Sequence, residues 1–154
     1  MAEEQDSNQT EADIVAGLRE LRIAGETVEV REFTFAQELR ALQIGEGVIH
    51  ALSALYSESD EPPFSAIERI FAEHAEALFE LLSISTGKDT KWIEALPGRE
   101  GYLLYLTFWS VNSHFFVDRV VSEQLQRIGD LNTIASVSES SLPPSSTTDT
   151  EKAS

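Results

Sequence analysis

The sequence predicts a mainly α protein of the α+β class, with a short N-terminal β-hairpin packed on a bundle of about four helices. Three observations carry that expectation. Two runs of alternating apolar and polar residues flank a glycine near the N-terminus. Apolar residues then recur at three- and four-residue steps over most of the chain. Late in the sequence, 17 consecutive residues carry no charge.

The ordered part is expected at 14–135. Before it, residues 1–13 hold five acids (Glu3, Glu4, Asp6, Glu11, Asp13) and no base, so they read as a disordered acidic arm, fraying into a short helix near Ile14–Leu18. After it, 136–154 is mostly Ser, Thr and Pro. Such a segment buries too little apolar surface to offset its ordering entropy and reads as a flexible tail.

Within the domain, Glu20-Leu21-Arg22-Ile23 and Thr27-Val28-Glu29-Val30-Arg31-Glu32-Phe33 alternate around Ala24-Gly25-Glu26, the pattern of a hairpin. Leu21, Ile23, Val28, Val30 and Phe33 form its expected buried face. A lone hairpin is marginal in water, so it must lie on the helices. Thr34 with Gln37 is a capping-box pattern that opens a helix carrying Phe35, Leu39 and Leu42. Gly45 and Gly47 kink or divide that helix before Ile49, Leu52 and Leu55, and Pro62-Pro63 ends it.

Ser65 with Glu68 repeats the capping pattern. Beyond it Ile67, Ile70, Phe71, His74, Leu78, Leu81 and Leu82 line one face, with Arg69, Glu73, Glu76 and Glu80 opposite, until Gly87 stops the helix. Thr90 to Leu96 is a short segment closed by Pro97-Gly98. Gly101 to Val117 is the uncharged run. A membrane span needs roughly 20 predominantly apolar residues. This run is shorter and contains Thr107, Ser110, Asn112, Ser113 and His114, so it reads as the central helix of the bundle. Arg119, Glu123 and Arg127 place its far end in solvent, with Gly129 as its cap.

A formal charge of −16, from 11 basic and 27 acidic side chains, argues against direct binding of nucleic acid or an anionic membrane, which takes clustered Lys and Arg. It also keeps a protein with sticky surface soluble. Without cysteine, disulfides, thiolate nucleophiles and Cys-based metal sites are excluded. Met1 to Asp13 has neither a basic region nor an apolar core, so no signal or transit peptide is expected there.

No phosphate-binding, dinucleotide or zinc-protease motif is present, and neither a cofactor nor enzymatic activity is expected. Ser85-Thr86-Gly87-Lys88 lacks the second glycine of a phosphate loop and follows a helix, so it reads as a helix-terminating turn. Glu73 and Glu76 point away from His74 on a helix, leaving it a core-edge histidine rather than a metal ligand. Ser110, His114 and Asp118 share a stripe, but consecutive turns of one helix supply neither an exposed nucleophile nor oxyanion donors. They read as a hydrogen-bonded polar seam.

The aromatic supply of the C-terminal third remains. The uncharged helix is apolar around nearly its whole girth, so part of it is expected to face a protein partner. Trp92, Phe108, Trp109, Phe115 and Phe116 are the candidate contacts, with the two tryptophans as anchors.

The run Val28 to Phe35 resembles the opening of tail assembly chaperones from long-tailed and Mu-like phages. The later residues Leu82, Thr86-Gly87-Lys88, Trp92-Ile93, Leu96-Pro97, Val111-Asn112, Phe115-Phe116 and Arg119 are similar to a pattern in small tail proteins of Mu-like phages. The resemblance spans about Arg19 to Val121. It implies a non-enzymatic protein of the host cytoplasm that coats the tape measure protein, keeps it soluble, recruits tail tube subunits and is absent from the finished virion. The family often makes a longer frameshifted form, which codons rather than residues would reveal. The rival expectations are an acidic inhibitor of a host defence factor and a minor structural tail protein. Self-association is left open by the sequence.

Overall fold

The computed structural model describes residues 17–140. The expected acidic arm lies outside these residues, as does the expected tail from 141 onward. Two strands, β1 (Leu18–Ile23) and β2 (Glu26–Arg31), form the hairpin. Six helices follow among the described residues: α1 (Phe35–Ile44), α2 (Glu46–Glu58), α3 (Phe64–Glu73), α4 (Ala75–Thr86), α5 (Thr90–Glu94) and α6 (Gly98–Ser140). The expected four-helix bundle thus becomes six, because Gly45 divides one helix and His74 divides another. The mainly helical α+β class stands.

The strands pair antiparallel with Leu21 opposite Val28 and Ile23 opposite Glu26. Only Ala24 and Gly25 join them, both at positive φ (50° and 76°), which is a type I′ turn whose twist suits a hairpin. Ile23, Val28, Val30 and Phe33 are buried as the alternation requires, and Leu21 packs partly on the core. Leu18, expected in a fraying helix, begins β1 instead.

The Thr34 cap forms as expected: its Oγ1 accepts from Gln37 N and the Gln37 side chain accepts from Thr34 N. Phe35 and Leu39, however, are exposed at 74% and 48%, and α1 turns Ala41, Leu42 and Ile44 inward instead. The Ser65/Glu68 pattern is not a capping box. α3 starts at Phe64 after an extended Pro63, Ala66 N bonds to Pro63 O, and Glu68 is engaged elsewhere. His74 then breaks the expected long helix, with its ring against the Cα of Gly47; a Cβ on that glycine would stand 2.9 Å from the ring. The left-handed Gly87 ends α4 as predicted, and its turn is laced by Ser83 Oγ and Thr86 Oγ1.

α6 is the axis of the fold, packed on α2, on both strands and on α4. Phe108, Phe115 and Phe116 lie at its core-facing side, each contributing roughly 2–3 kcal/mol through burial. Phe33 meets Phe108 and Phe115 edge-on at 5.9 and 5.5 Å, and Phe71 meets Phe116 perpendicular at 5.6 Å. The helix does not stop at Gly129. It continues through Ser140, past the boundary expected at Ala135. No helix among the described residues is long and apolar enough to cross a membrane.

Candidate functional site

The structure corrects the expected contact surface. Phe108, Phe115 and Phe116 are at most 2% exposed, because the hairpin, α2 and α4 enclose this stretch of α6 on the sides where they point. They build the core and offer a partner nothing. Trp109 is half-buried, stacked on Phe116 at 5.7 Å and close to Phe71. Trp92 is half-buried as well, with the Lys88 ammonium 5.0 Å above its ring. Of the five candidates only the tryptophans reach the surface, and only in part.

The uncovered apolar surface lies further along the same helix. Val117, Val121, Leu125, Ile128 and Leu131 are 37–65% exposed and follow one another at steps of four, four, three and three residues. At 3.6 residues per turn they fall within one arc of about 120°, which also holds Gln124, Asn132 and Ala135, with Arg119, Glu123, Gln126, Arg127 and Asp130 on other sides. Ile134, also exposed, lies off this line. From Leu125 to Ser136 every residue is exposed, so the helix has left the body of the fold. From Leu125 to its end at Ser140 it projects about 24 Å at 1.5 Å per residue.

Such a projection draws little packing energy from the described residues. Isolated helices of this length are marginal in water, and Gly129, Asn132 and Thr133 are poor helix formers. Its charge is nearly balanced: between Val121 and Ser136 stand two acids (Glu123, Asp130) and one base (Arg127), a net of −1 in a chain of −16. The sequence held a signal for this site, namely the three- and four-residue spacing continuing past Val117 behind the charges that marked it as solvated.

The polar residues of α6 separate into two groups. His114 Nε2 stands 2.9 Å from Glu32 Oε1 rather than pairing with Asp118. Ser110 Oγ donates to Thr107 O, so the stripe does not assemble a nucleophile and base. The buried polar group is instead Asn112, fully enclosed. Its Oδ1 accepts from Phe33 N at 2.9 Å, while its Nδ2 donates to Arg31 O at 3.1 Å and to Ser85 Oγ at 3.3 Å. Ser85 Oγ in turn donates to Arg31 O at 2.6 Å. Among the described residues no group of three or more His, Asp or Glu side chains is placed to hold a metal ion.

At the opposite end of α6, Tyr102 and Tyr105 face α3 across a recess of about 310 Å³, also lined by Glu68, Phe71, Ala72 and Leu78. Tyr102 Oη donates to Glu68 Oε1 at 2.7 Å. Burial, reinforced by the Glu68 charge, pushes the Tyr105 phenol well above its ordinary 10.0. The hydrogen bond to Glu68 raises that of Tyr102.

A family model described as a family of unknown function, DUF6631, matches residues 11–154. The chain belongs to DUF6631. The matched span takes in the hairpin, the recess and the whole projecting end of α6. No curated protein and no solved structure matches the chain.

Proposed function

We propose that this DUF6631 protein is a non-enzymatic tail assembly chaperone, which pairs the projecting end of α6 with an amphipathic helix of the tape measure protein. The carrying observation is the exposed stripe Val121, Leu125, Ile128 and Leu131 on the end of a helix that the other described residues leave uncovered. A helical client laid along it would bury apolar surface on both sides, the usual mode of helix pairing. The near-neutral charge of the overhang lets a client approach, and the remaining negative charge of the chain keeps the complex soluble by repulsion. The resemblance of the hairpin and of the residues from Leu82 to Arg119 supports the phage tail as the setting. It also supports tail tube subunits as a second partner, the host cytoplasm as the location and absence from the mature virion.

Coexpression with a fragment of the tape measure protein from the same genome tests this reading. Copurification should be lost in a Leu125→Asp/Ile128→Asp variant, which keeps its fold because both positions are exposed. Equal recovery of client with the variant and the wild type refutes the assignment. So does a free chain that is already a dimer through this stripe and captures no client. Peptides of this protein in purified particles would favour a structural tail component instead.

A further inference from the structure

We infer that the recess between α3, the first turn of α4 and the start of α6 receives an arginine side chain of a protein partner. The recess is aromatic and aliphatic on most of its wall, with Phe71, Tyr102, Tyr105, Ala72 and Leu78 around it, and Glu68 is its one charged lining group. An apolar wall bearing a single carboxylate suits a ligand that is flat, partly greasy and cationic. A guanidinium is all three, and it stacks on aromatic faces more readily than an ammonium does.

One acceptor waits for its donors. Glu68 is bound by Tyr102 through Oε1 only, which turns that carboxylate along the wall, and Glu68 forms no ion pair among the described residues. Tyr105 is 7% exposed, and its hydroxyl is shut off from solvent without a hydrogen-bond partner. Tyr105 therefore offers the recess its ring and not an acceptor. A guanidinium has five N–H donors in a fixed fork, so it can reach the second carboxylate oxygen while its plane lies against the ring faces. The strong negative charge of the whole chain draws such a partner in. The recess lies at the far end of α6 from the bare stripe, so this site stands or falls independently of client pairing there.

The test is a titration of the full chain with N-acetyl-arginine amide, followed by NMR chemical shifts. N-acetyl-citrulline amide, which has nearly the same shape without the charge, is the control. Saturable shifts in the millimolar range at Tyr102, Tyr105, Glu68 and Leu78 are expected with the arginine probe, and citrulline should bind at least tenfold more weakly. A Glu68→Gln variant with unchanged circular dichroism should lose the arginine response by about the same factor, since it removes the charge and keeps the shape. Equal binding of the two probes overturns the inference, as do unsaturable shifts scattered over the acidic surface or an unaffected Glu68→Gln variant. Tighter binding of free L-arginine than of the blocked amide also overturns it, because that would make the recess a site for the amino acid and not for a protein side chain.

Discussion

Replacing Asn112 should damage this protein more than replacing any surface residue, and the pattern of damage is specific. β-Hairpin positions alternate between hydrogen-bonded and free pairs. Glu32 N bonds to Gly17 O, so Arg31, one residue earlier, turns its carbonyl away from β1. That carbonyl and the Phe33 N–H are backbone groups at an edge buried under α4 and α6, and buried edge groups must be paired. Asn112 pairs both of them and Ser85 pairs the first, so α6 and α4 together read the exit of β2 through one side chain each.

Asn112→Ala leaves the Phe33 N–H unsatisfied at about 1–3 kcal/mol and weakens the hold on Arg31 O by about 1 kcal/mol, for a loss of roughly 2–4 kcal/mol. Ser85→Ala should cost only about 1 kcal/mol, because Asn112 still serves Arg31 O. Together they strip Arg31 O of both donors. The double variant should therefore exceed the sum of the singles by about 1 kcal/mol, after a few tenths are subtracted for the long Asn112–Ser85 bond that each single already removes. Asn112→Asp keeps the volume and the acceptor for Phe33 N but sets an oxygen against Arg31 O, so it should cost at least as much as the alanine. Urea unfolding followed by Trp109 fluorescence measures all four. An aspartate variant near wild-type stability, or strict additivity of the two alanines, would refute the account.

Three other perturbations have definite expected outcomes. Ala24 sits at φ 50°, a left-handed conformation that costs a residue with a Cβ about 1–2 kcal/mol; Ala24→Asn should therefore raise the melting temperature by a few degrees. Glu20 and Glu29 stand directly opposite each other, so Glu20→Lys should stabilise by about 0.2–1 kcal/mol in urea at low salt, less at high salt. Tyr105→Phe removes a buried hydroxyl without a partner and should be neutral or stabilising at pH 7. The same residue sets an alkaline limit. Tyr105 is neutral when protonated, and the folded state raises its pKa above 10.0. Its contribution is thus fully present below pH 10.0 and lost as pH rises beyond, a slope that urea unfolding should find flattened in the phenylalanine variant.

What could be read from the sequence was local. The hairpin face needed only a period of two and a glycine turn, and the Thr34 cap and the Gly87 stop needed only their immediate neighbours. What escaped was set by distant parts of the chain. Ser65 and Glu68 had the right spacing for a cap, but Pro63 fixed an earlier start and Tyr102 claimed the glutamate. His74 carries no breaking residue type; the helix divides where it meets the bare backbone of Gly47. Asn112 looked like one polar residue in an apolar run until β2 arrived beside it.

The expected contact residues Phe108, Phe115 and Phe116 proved to be core for a related reason. Aromatic residues have the largest burial free energies, and a run holding Tyr105, Phe108, Trp109, Phe115 and Phe116 is the first segment a small domain will cover. The hairpin, α2 and α4 together supply enough surface to do so. Past Val120 the body of the fold ends and little among the described residues covers the helix, yet Leu125, Ile128 and Leu131 keep a helical apolar spacing there. A stripe free of constraint should drift toward polar residues, since each exposed leucine or isoleucine lowers solubility and adds little to a helix that packs on nothing. Strength of hydrophobicity therefore marks the core of this protein. The proposed docking face is marked by hydrophobic order that persists after the core has run out.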